Sequence, residues 1–239
     1  MKLEPLLDGL TFGEGPRWRD DRLYFSDFYV HQVRTVDESG KAETIVEVPG
    51  QPSGLGWRPD GTMLIVSMTD RRLMRFAGNK LSVEAELGGL ATGLCNDMIV
   101  DARGRAYVGN FGFDRHAGEA PRPAVLARVD PDGSVHAAAN ELMFPNGSVI
   151  TPDGKTMIIA ETFAKRLTAF DLAEDGTLSN RRVWAETPTC NPDGICLDAE
   201  GALWVTGAFT HHMIRVFEGG RVTHDLDLGE RAAYACMLG

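Results

Sequence analysis

Five residues of this chain stand at one phase of a repeating pattern. Glu14, Ser53, Asn96, Asn146 and Asp193 each lie eight positions ahead of a glycine that closes a polar turn, with Arg22 in the glycine's place after Glu14. Their surroundings agree as well: "GEGP", "PSGL", "CNDM", "PNGS" and "PDGI". Four of the five carry carboxylate or carboxamide oxygens. Brought to one point, two carboxylates and two carboxamides would repel and lack solvation unless a cation neutralised them. A hard divalent ion suits such a donor set, because Ca²⁺ takes about six to eight oxygens from carboxylates, amide carbonyls and water. Mg²⁺ and Mn²⁺ also accept oxygen donors, and Zn²⁺ is less natural where no His or thiolate takes part. The alternative is that each side chain caps backbone groups where a strand begins, as Asn and Asp commonly do.

The elements that must position these residues recur with them. "RWRDDRLYFSD" (17–27), "GWRPDGTMLIVS" (56–67), "VDARGRAYVGN" (100–110), "ITPDGKTMIIAE" (150–161) and "LDAEGALWVTG" (197–207) each place a polar turn between two apolar runs. Val, Ile, Leu, Phe and Trp dominate the runs and no helical period appears, so each reads as strand–turn–strand. More strands follow in every unit, as in "KRLTAFDL" and "LSNRRVWAE" around the turn "AEDGT". Successive ring positions are 39, 43, 50 and 47 residues apart. Units of four antiparallel strands at that period predict an all-β propeller, a sandwich being the alternative. Equivalent positions in successive blades encircle the propeller axis, so the five residues are expected at one mouth of its channel.

Composition narrows the function. Of 239 residues, 43% are hydrophobic and 24% charged, the balance of a globular domain spanning residues 1–239. A formal net charge of −10 argues against nucleic acid or an anionic membrane as partner. No apolar run is long enough to span a bilayer and the first residues do not form a secretory leader, so a cytoplasmic location is expected. Cys95, Cys190, Cys196 and Cys236 lack zinc-site spacing, and Cys190 and Cys196 would stand about 20 Å apart along one strand; all four are expected reduced.

"FGEGPRW", "CNDMIVDARGR", "FPNGSVITPDGKTMIIAET" and "NPDGICLDAEGALWV" resemble, in order and across nearly the whole chain, the motifs of the senescence marker protein/gluconolactonase/luciferin-regenerating enzyme family. The resemblance implies a six-bladed β-propeller holding one divalent metal in its channel. It places the family's metal ligands on Glu14, Asn146 and Asp193, and puts Asn96 at the metal or the substrate. It also implies hydrolysis of a lactone, with Asp193 as ligand and candidate general base; a phosphotriesterase-like activity, or a non-catalytic propeller with a structural metal, are the alternatives. Members that act on sugar lactones commonly carry an arginine where this chain has Leu94, which points to a less polar lactone or ester.

Several other residues bear on the site. The segment "FGFDRHAGEAPRP" (111–123) lengthens the third unit, and its Phe111, Phe113 and His116 are candidates to line a substrate pocket. Asp97 is either a support for the site or a partner of its own backbone turn. His211 and His212 read as a surface pair. "AYACMLG" (233–239) reads as the start of a sixth innermost strand, so the sixth blade is expected to be incomplete, with residues 1–9 supplying an outer strand to it and the chain a truncated form of a longer one.

Overall fold

The structure is a computed structural model that describes residues 4–239. Short runs of β-branched, aromatic and leucine side chains, cut by turns, leave the backbone to satisfy its hydrogen bonds between neighbouring strands. The first sheet comprises β1 (Gly13–Arg19), β2 (Arg22–Asp27), β3 (Gln32–Asp37) and β4 (Ala42–Glu47). The second comprises β5 (Pro52–Trp57), β6 (Met63–Ser67), β7 (Arg72–Ala77) and β8 (Lys80–Glu86). The third holds β9 (Cys95–Val100), β10 (Ala106–Asn110), β11 (Ala124–Val129) and β12 (Val135–Leu142). The fourth holds β13 (Pro145–Ile150), β14 (Thr156–Glu161), β15 (Arg166–Leu172) and β16 (Leu178–Glu186), and the fifth β17 (Asn191–Leu197), β18 (Leu203–Ala208), β19 (His212–Val216) and β20 (Val222–Asp227). In each sheet the strands lie in chain order, each antiparallel to the next. Among the described residues no helix is long and apolar enough to cross a membrane.

The turns between the first two strands explain both the repeated glycine and its one exception. Gly61, Gly104, Gly154 and Gly201 all have φ between 71° and 85°, a left-handed conformation that costs glycine nothing. Each amide donates back across its turn, to Arg58, Asp101, Thr151 and Asp198 carbonyls respectively. Blade one instead pairs Arg19 with Arg22 across a two-residue turn, with Asp20 at φ 51° and Asp21 at φ 58°. Arg22 is therefore the first residue of β2 and needs no special conformation.

Apolar side chains fill the seams between blades. Leu55, Ile65 and Val33 pack the first seam; Leu64, Leu73, Met98 and Val108 the second; Tyr107, Leu142, Met157 and Ile159 the third; Ile158, Leu167, Leu203 and Val205 the fourth. Burial of one such side chain is worth about 1.5–3 kcal/mol.

The innermost strands meet in turn, β1 on β5, β5 on β9, β9 on β13 and β13 on β17. They pass close enough to exclude a Cβ: one added at Gly54 would lie 2.4 Å from Met98 N, and one at Gly147 2.6 Å from both Asp193 O and Ile195 N.

The sequence-based expectation of six blades, the last incomplete, is corrected here to five. Residues after Asp227 form no strand and the described residues contain no sixth sheet. The segment 233–239 nevertheless follows the inner circuit: Gly194 N donates to Tyr234 O at 2.8 Å, a Cβ on Gly194 would strike Ala235, and Gly239 lies against Trp18. A strand needs a ladder of partners, and this segment has only that one backbone bond to β17. Residues 4–12 likewise form no strand, and Met1, Lys2 and Leu3 of the expected closing segment lie outside the described residues. Leu6, Leu7 and Leu10 instead border a cavity of about 240 Å³ with Leu23, Phe25 and Ala235.

A second set of equivalent positions ends the neighbouring strands. Asp27, Ser67, Asn110, Glu161 and Gly207 pair with the residues Gly13, Pro52, Cys95, Pro145 and Pro192. Asp27 Oδ1 accepts from the amides of Thr11 and Phe12, each at 3.0 Å, and from the Thr11 hydroxyl. Glu161 accepts from Met143 N at 2.7 Å, Arg166 Nε at 3.0 Å, Arg181 Nη2 at 3.1 Å and the Thr168 hydroxyl. Both carboxylates thus hold the chain just before it enters an innermost strand. Burial pushes the Glu161 carboxyl up, but hydrogen bonds from Arg166, Thr168 and Met143 outweigh it and leave the group below its ordinary value. Its contribution is then complete above the unfolded carboxylate's pKa of about 4.3 and lost as pH falls through the lower folded value. Glu161→Gln should cost about 2 kcal/mol at pH 7, and denaturant midpoints should show the deficit shrinking towards pH 3.

Candidate functional site

A bulge aims each ring residue. In four blades the residue at the ring position and its successor oppose a single residue of the next strand: Ser53 and Gly54, Asn96 and Asp97, Asn146 and Gly147, Asp193 and Gly194 fall between the paired positions of the register shift. In blade one the shift comes one residue later, after Glu14. A bulge breaks the ladder locally and redirects a side chain that the pleat would otherwise send into a seam.

Glu14, Asn96, Asn146 and Asp193 accordingly share one cavity of about 390 Å³. The fifth ring residue does not: Ser53 is buried, and its carbonyl accepts from Ser26 Oγ at 2.6 Å to tie blade two to blade one. Thr162 makes the corresponding tie between blades four and five, donating to Pro192 O at 2.8 Å. Its hydroxyl also accepts from Asn146 Nδ2 at 3.2 Å. With the amide nitrogen engaged there, the Asn146 carbonyl oxygen is the atom left for a ligand.

The two carboxyls are starved of positive partners. Burial, then Asp193 and Asp97, push the Glu14 carboxyl well above its ordinary value, against which the Gly15 amide and Arg17 act weakly. Burial and Asp97 push Asp193 up to about 8, offset in part by hydrogen bonding from Asn146. Asp97 itself is held from blade one: Arg17 Nη2 lies 3.0 Å from its Oδ1 and donates to Met98 O at 2.6 Å. Asp97 also accepts from Met98 N at 2.8 Å, so both roles expected of it are present, a backbone partner and a neighbour of the site.

Two carboxylates and two carboxamides form an all-oxygen donor set, which fits a hard divalent cation. Among the described residues no group of three or more His, Cys, Asp or Glu side chains gathers as a metal site, so Glu14 and Asp193 would need the amide oxygens to complete one.

Other candidates fall on both sides of the cavity wall. Phe111 and His116 line it, and so does Leu94. Phe113 does not: it is 3% exposed and packs behind the wall, its ring 6.2 Å from Phe144 and 5.8 Å from Phe163. Gly112, at φ 81°, turns the chain there, which sends Phe113 inward while Phe111 stays at the cavity. His212 pairs with Asp225 at 2.7 Å on the outer strands, away from the cavity. All four cysteines are free. Sequence reasoning missed Phe12, Phe28, Tyr29, Phe144, Phe209 and Tyr234, which also line the cavity. Phe12 and Phe144 stand two residues before Glu14 and Asn146, as Gln51 and Leu94 stand before Ser53 and Asn96. Phe28 follows Asp27 as Phe111 follows Asn110, and Tyr29 and Phe209 stand two residues after Asp27 and Gly207, so the periodicity that found the ring could also have found these.

The raised Asp193 carboxyl makes the folded state hold a proton that the unfolded chain releases near pH 3.8, so stability falls as pH rises between there and about 8. Asp193→Asn removes that penalty. Thermal melts in chelator at pH 8 should show the variant at least as stable as the parent.

Residues 12–239 match the model of a family described as SMP-30/Gluconolactonase/LRE-like region. A pentonolactonase of Haloferax volcanii is 30% identical over 199 residues, which cover 80% of this chain and 65% of that protein. This chain therefore spans just under two thirds of that relative. Among solved structures, a gluconolactonase of Xanthomonas campestris superposes with a TM-score of 0.80 at 24% identity, covering 97% of this chain and 81% of the other. A calcium-binding regucalcin of Agrobacterium tumefaciens gives 0.80 at 21% identity, over 95% and 77%. At those identities the two structures speak for the fold.

Proposed function

Since the chain belongs to the SMP-30/Gluconolactonase/LRE-like family, we propose that it is a hydrolase that opens a lactone ring in the cavity over Glu14, Asn96, Asn146 and Asp193. The observation that carries this reading is the donor set itself. Two carboxyls without a cationic partner in an open cavity, Asp193 buried and Glu14 partly so, serve no need of the scaffold, whose carboxylates Asp27 and Glu161 are buried and richly hydrogen-bonded. The pentonolactonase relative supports the lactone, and the calcium-binding neighbour supports the choice of ion.

Glu14, Asn146 and Asp193 would hold one divalent cation, Ca²⁺ by preference and Mg²⁺, Mn²⁺ or Zn²⁺ otherwise. Bound there, the ion supplies Lewis acidity at the lactone carbonyl oxygen and lowers the pKa of the attacking water. Asp193 takes the proton of that water as its oxygen adds to the acyl carbon, and returns it to the ring oxygen as the acyl–oxygen bond breaks. Asn96, 8% exposed on β9, donates from its amide to the lactone and fixes its orientation. Leu94 and Phe111 keep bulk water from the reacting carbonyl.

Calorimetric titration of Ca²⁺ into chelator-stripped protein should find one site, absent in Asn146→Ala. At saturating metal Asp193→Asn should remain folded and lose turnover of a lactone panel by roughly 10²–10⁴-fold, the usual worth of a general base. Unchanged turnover would remove Asp193 as the base, and a folded protein silent to Ca²⁺, Mg²⁺, Mn²⁺ and Zn²⁺ would leave a non-catalytic propeller.

A further inference from the structure

Two aromatic walls rise from the polar floor. In one, Phe12 stacks on Phe28 with centroids 5.3 Å apart and meets Tyr234 at 4.8 Å. In the other, Phe111 stacks on Phe144 at 4.3 Å and 19°, and Phe163 joins Phe144 at 5.1 Å to Phe209 at 6.5 Å. Leu94 and Met68 add further apolar surface.

The second wall is kept against the preference of the backbone. Phe144 has φ 61° and Phe209 φ 62°, the left-handed region that disfavours any bulky side chain. The other non-glycine residues found there are polar or charged and include no second pair of rings. Both of these phenylalanines line the cavity, and Phe209 is 54% exposed, so burial in a core does not account for its ring. Strain of this kind persists where a site depends on the side chain it carries.

The polar capacity above the floor is small. Thr162 already uses its hydroxyl on Pro192 O and Asn146 Nδ2. The Arg115 guanidinium sits over the Phe209 ring, 4.9 Å from its centroid. Gln51, His116, the N–H groups of Arg115 and the hydroxyls of Tyr29 and Tyr234 remain. The rest of the wall is rings and methyl groups, so the hydroxyls of a sugar lactone would find few partners, whereas a flat apolar ring would find stacking partners on both sides.

We propose that this cavity selects lactones that carry or are fused to an aromatic ring, with the carbonyl on the polar floor and the ring between the walls. Phe144 and Phe209 are its specificity-determining residues. The lactone half of the proposal rests on the hydrolase reading above; the aromatic half rests on the walls alone.

The test separates the two halves by measuring binding and turnover independently. Hydrolytically stable lactams are titrated calorimetrically into the Ca²⁺-loaded protein: 3,4-dihydro-2-quinolinone as the aromatic probe and glucono-1,5-lactam as the sugar probe. The aromatic lactam should bind at least about tenfold more tightly. Phe209→Gly removes an exposed ring and relieves its backbone, so it should melt no lower than the parent, yet bring the ratio to within about threefold. Phe144→Gly should narrow the ratio as well; its ring is buried against Phe111, Phe113 and Phe163, so a lower melting temperature is expected and is measured in parallel. Equal or reversed preference in the parent, or a preference unchanged in Phe209→Gly, overturns the proposal. Hydrolysis of 3,4-dihydrocoumarin and glucono-1,5-lactone is followed in the same preparations. Turnover of the sugar lactone without the aromatic binding preference would sink this inference and leave the hydrolase reading intact. The preference without turnover of either would do the reverse for the hydrolase and leave the aromatic recognition standing.

Discussion

The innermost strands pass so closely that no Cβ fits at Gly54 or Gly147, and much else in the molecule follows from that steric limit. Gly194 meets the same limit against Tyr234 and Ala235, while in blade three Asp97 holds the equivalent place and Gly109 beside it is the glycine that passes Pro145. Gly54, Gly147 and Gly194 each lie directly after a ring residue, and each such pair forms the bulge that interrupts the ladder. The close approach and the inward aim of Asn146 and Asp193 therefore share one cause. A larger residue at Gly147 or Gly194 would strike the backbone facing it and swing Asn146 or Asp193 off the axis.

Two rings of polar side chains, one residue apart in register, have opposite electrostatic fates. Asp27 and Glu161 receive backbone amides, hydroxyls and guanidinium groups until hydrogen bonding outweighs burial, and both sit below the ordinary carboxylate value. Glu14, partly buried, and Asp193, buried, lie in the company of Asp97 with few donors, and both sit well above it. The fold thus satisfies the carboxylates that anchor its loops and leaves the channel pair in want of a cation. Residue type alone does not distinguish the groups; the supply of donors does.

The blades and the ring were legible because both are periodic. A turn glycine fixes a register, and everything at constant offset from it inherits the same place in space, so Glu14, Asn96, Asn146 and Asp193 could be grouped before any coordinates. Ser53 shows the limit of that reasoning: the same phase gave a buried tie to Ser26. The aromatic walls were missed although Phe12 and Phe144 share one phase two residues ahead of the ring: residue type varies there from blade to blade, with Gln51 and Leu94 in the second and third, so no common motif marked them, and the swing at Gly112 decided between Phe111 and Phe113. The blade count failed for a related reason. Spacing predicts where an innermost strand should start, but a strand exists only where a partner supplies a ladder of backbone hydrogen bonds, and residues 233–239 share only the one with Gly194.

Strand order within every sheet follows the chain without a crossover. Each blade is consequently a low-contact-order unit that can zip up as soon as its own residues leave the ribosome, in vectorial order from the amino end. The cavity behaves differently. Its floor takes one residue each from the first, third, fourth and fifth blades, and its walls reach from Phe12 to Tyr234. Architecture is thus learned locally and early during biosynthesis, while binding competence is a long-range property that arrives only when the final segment docks.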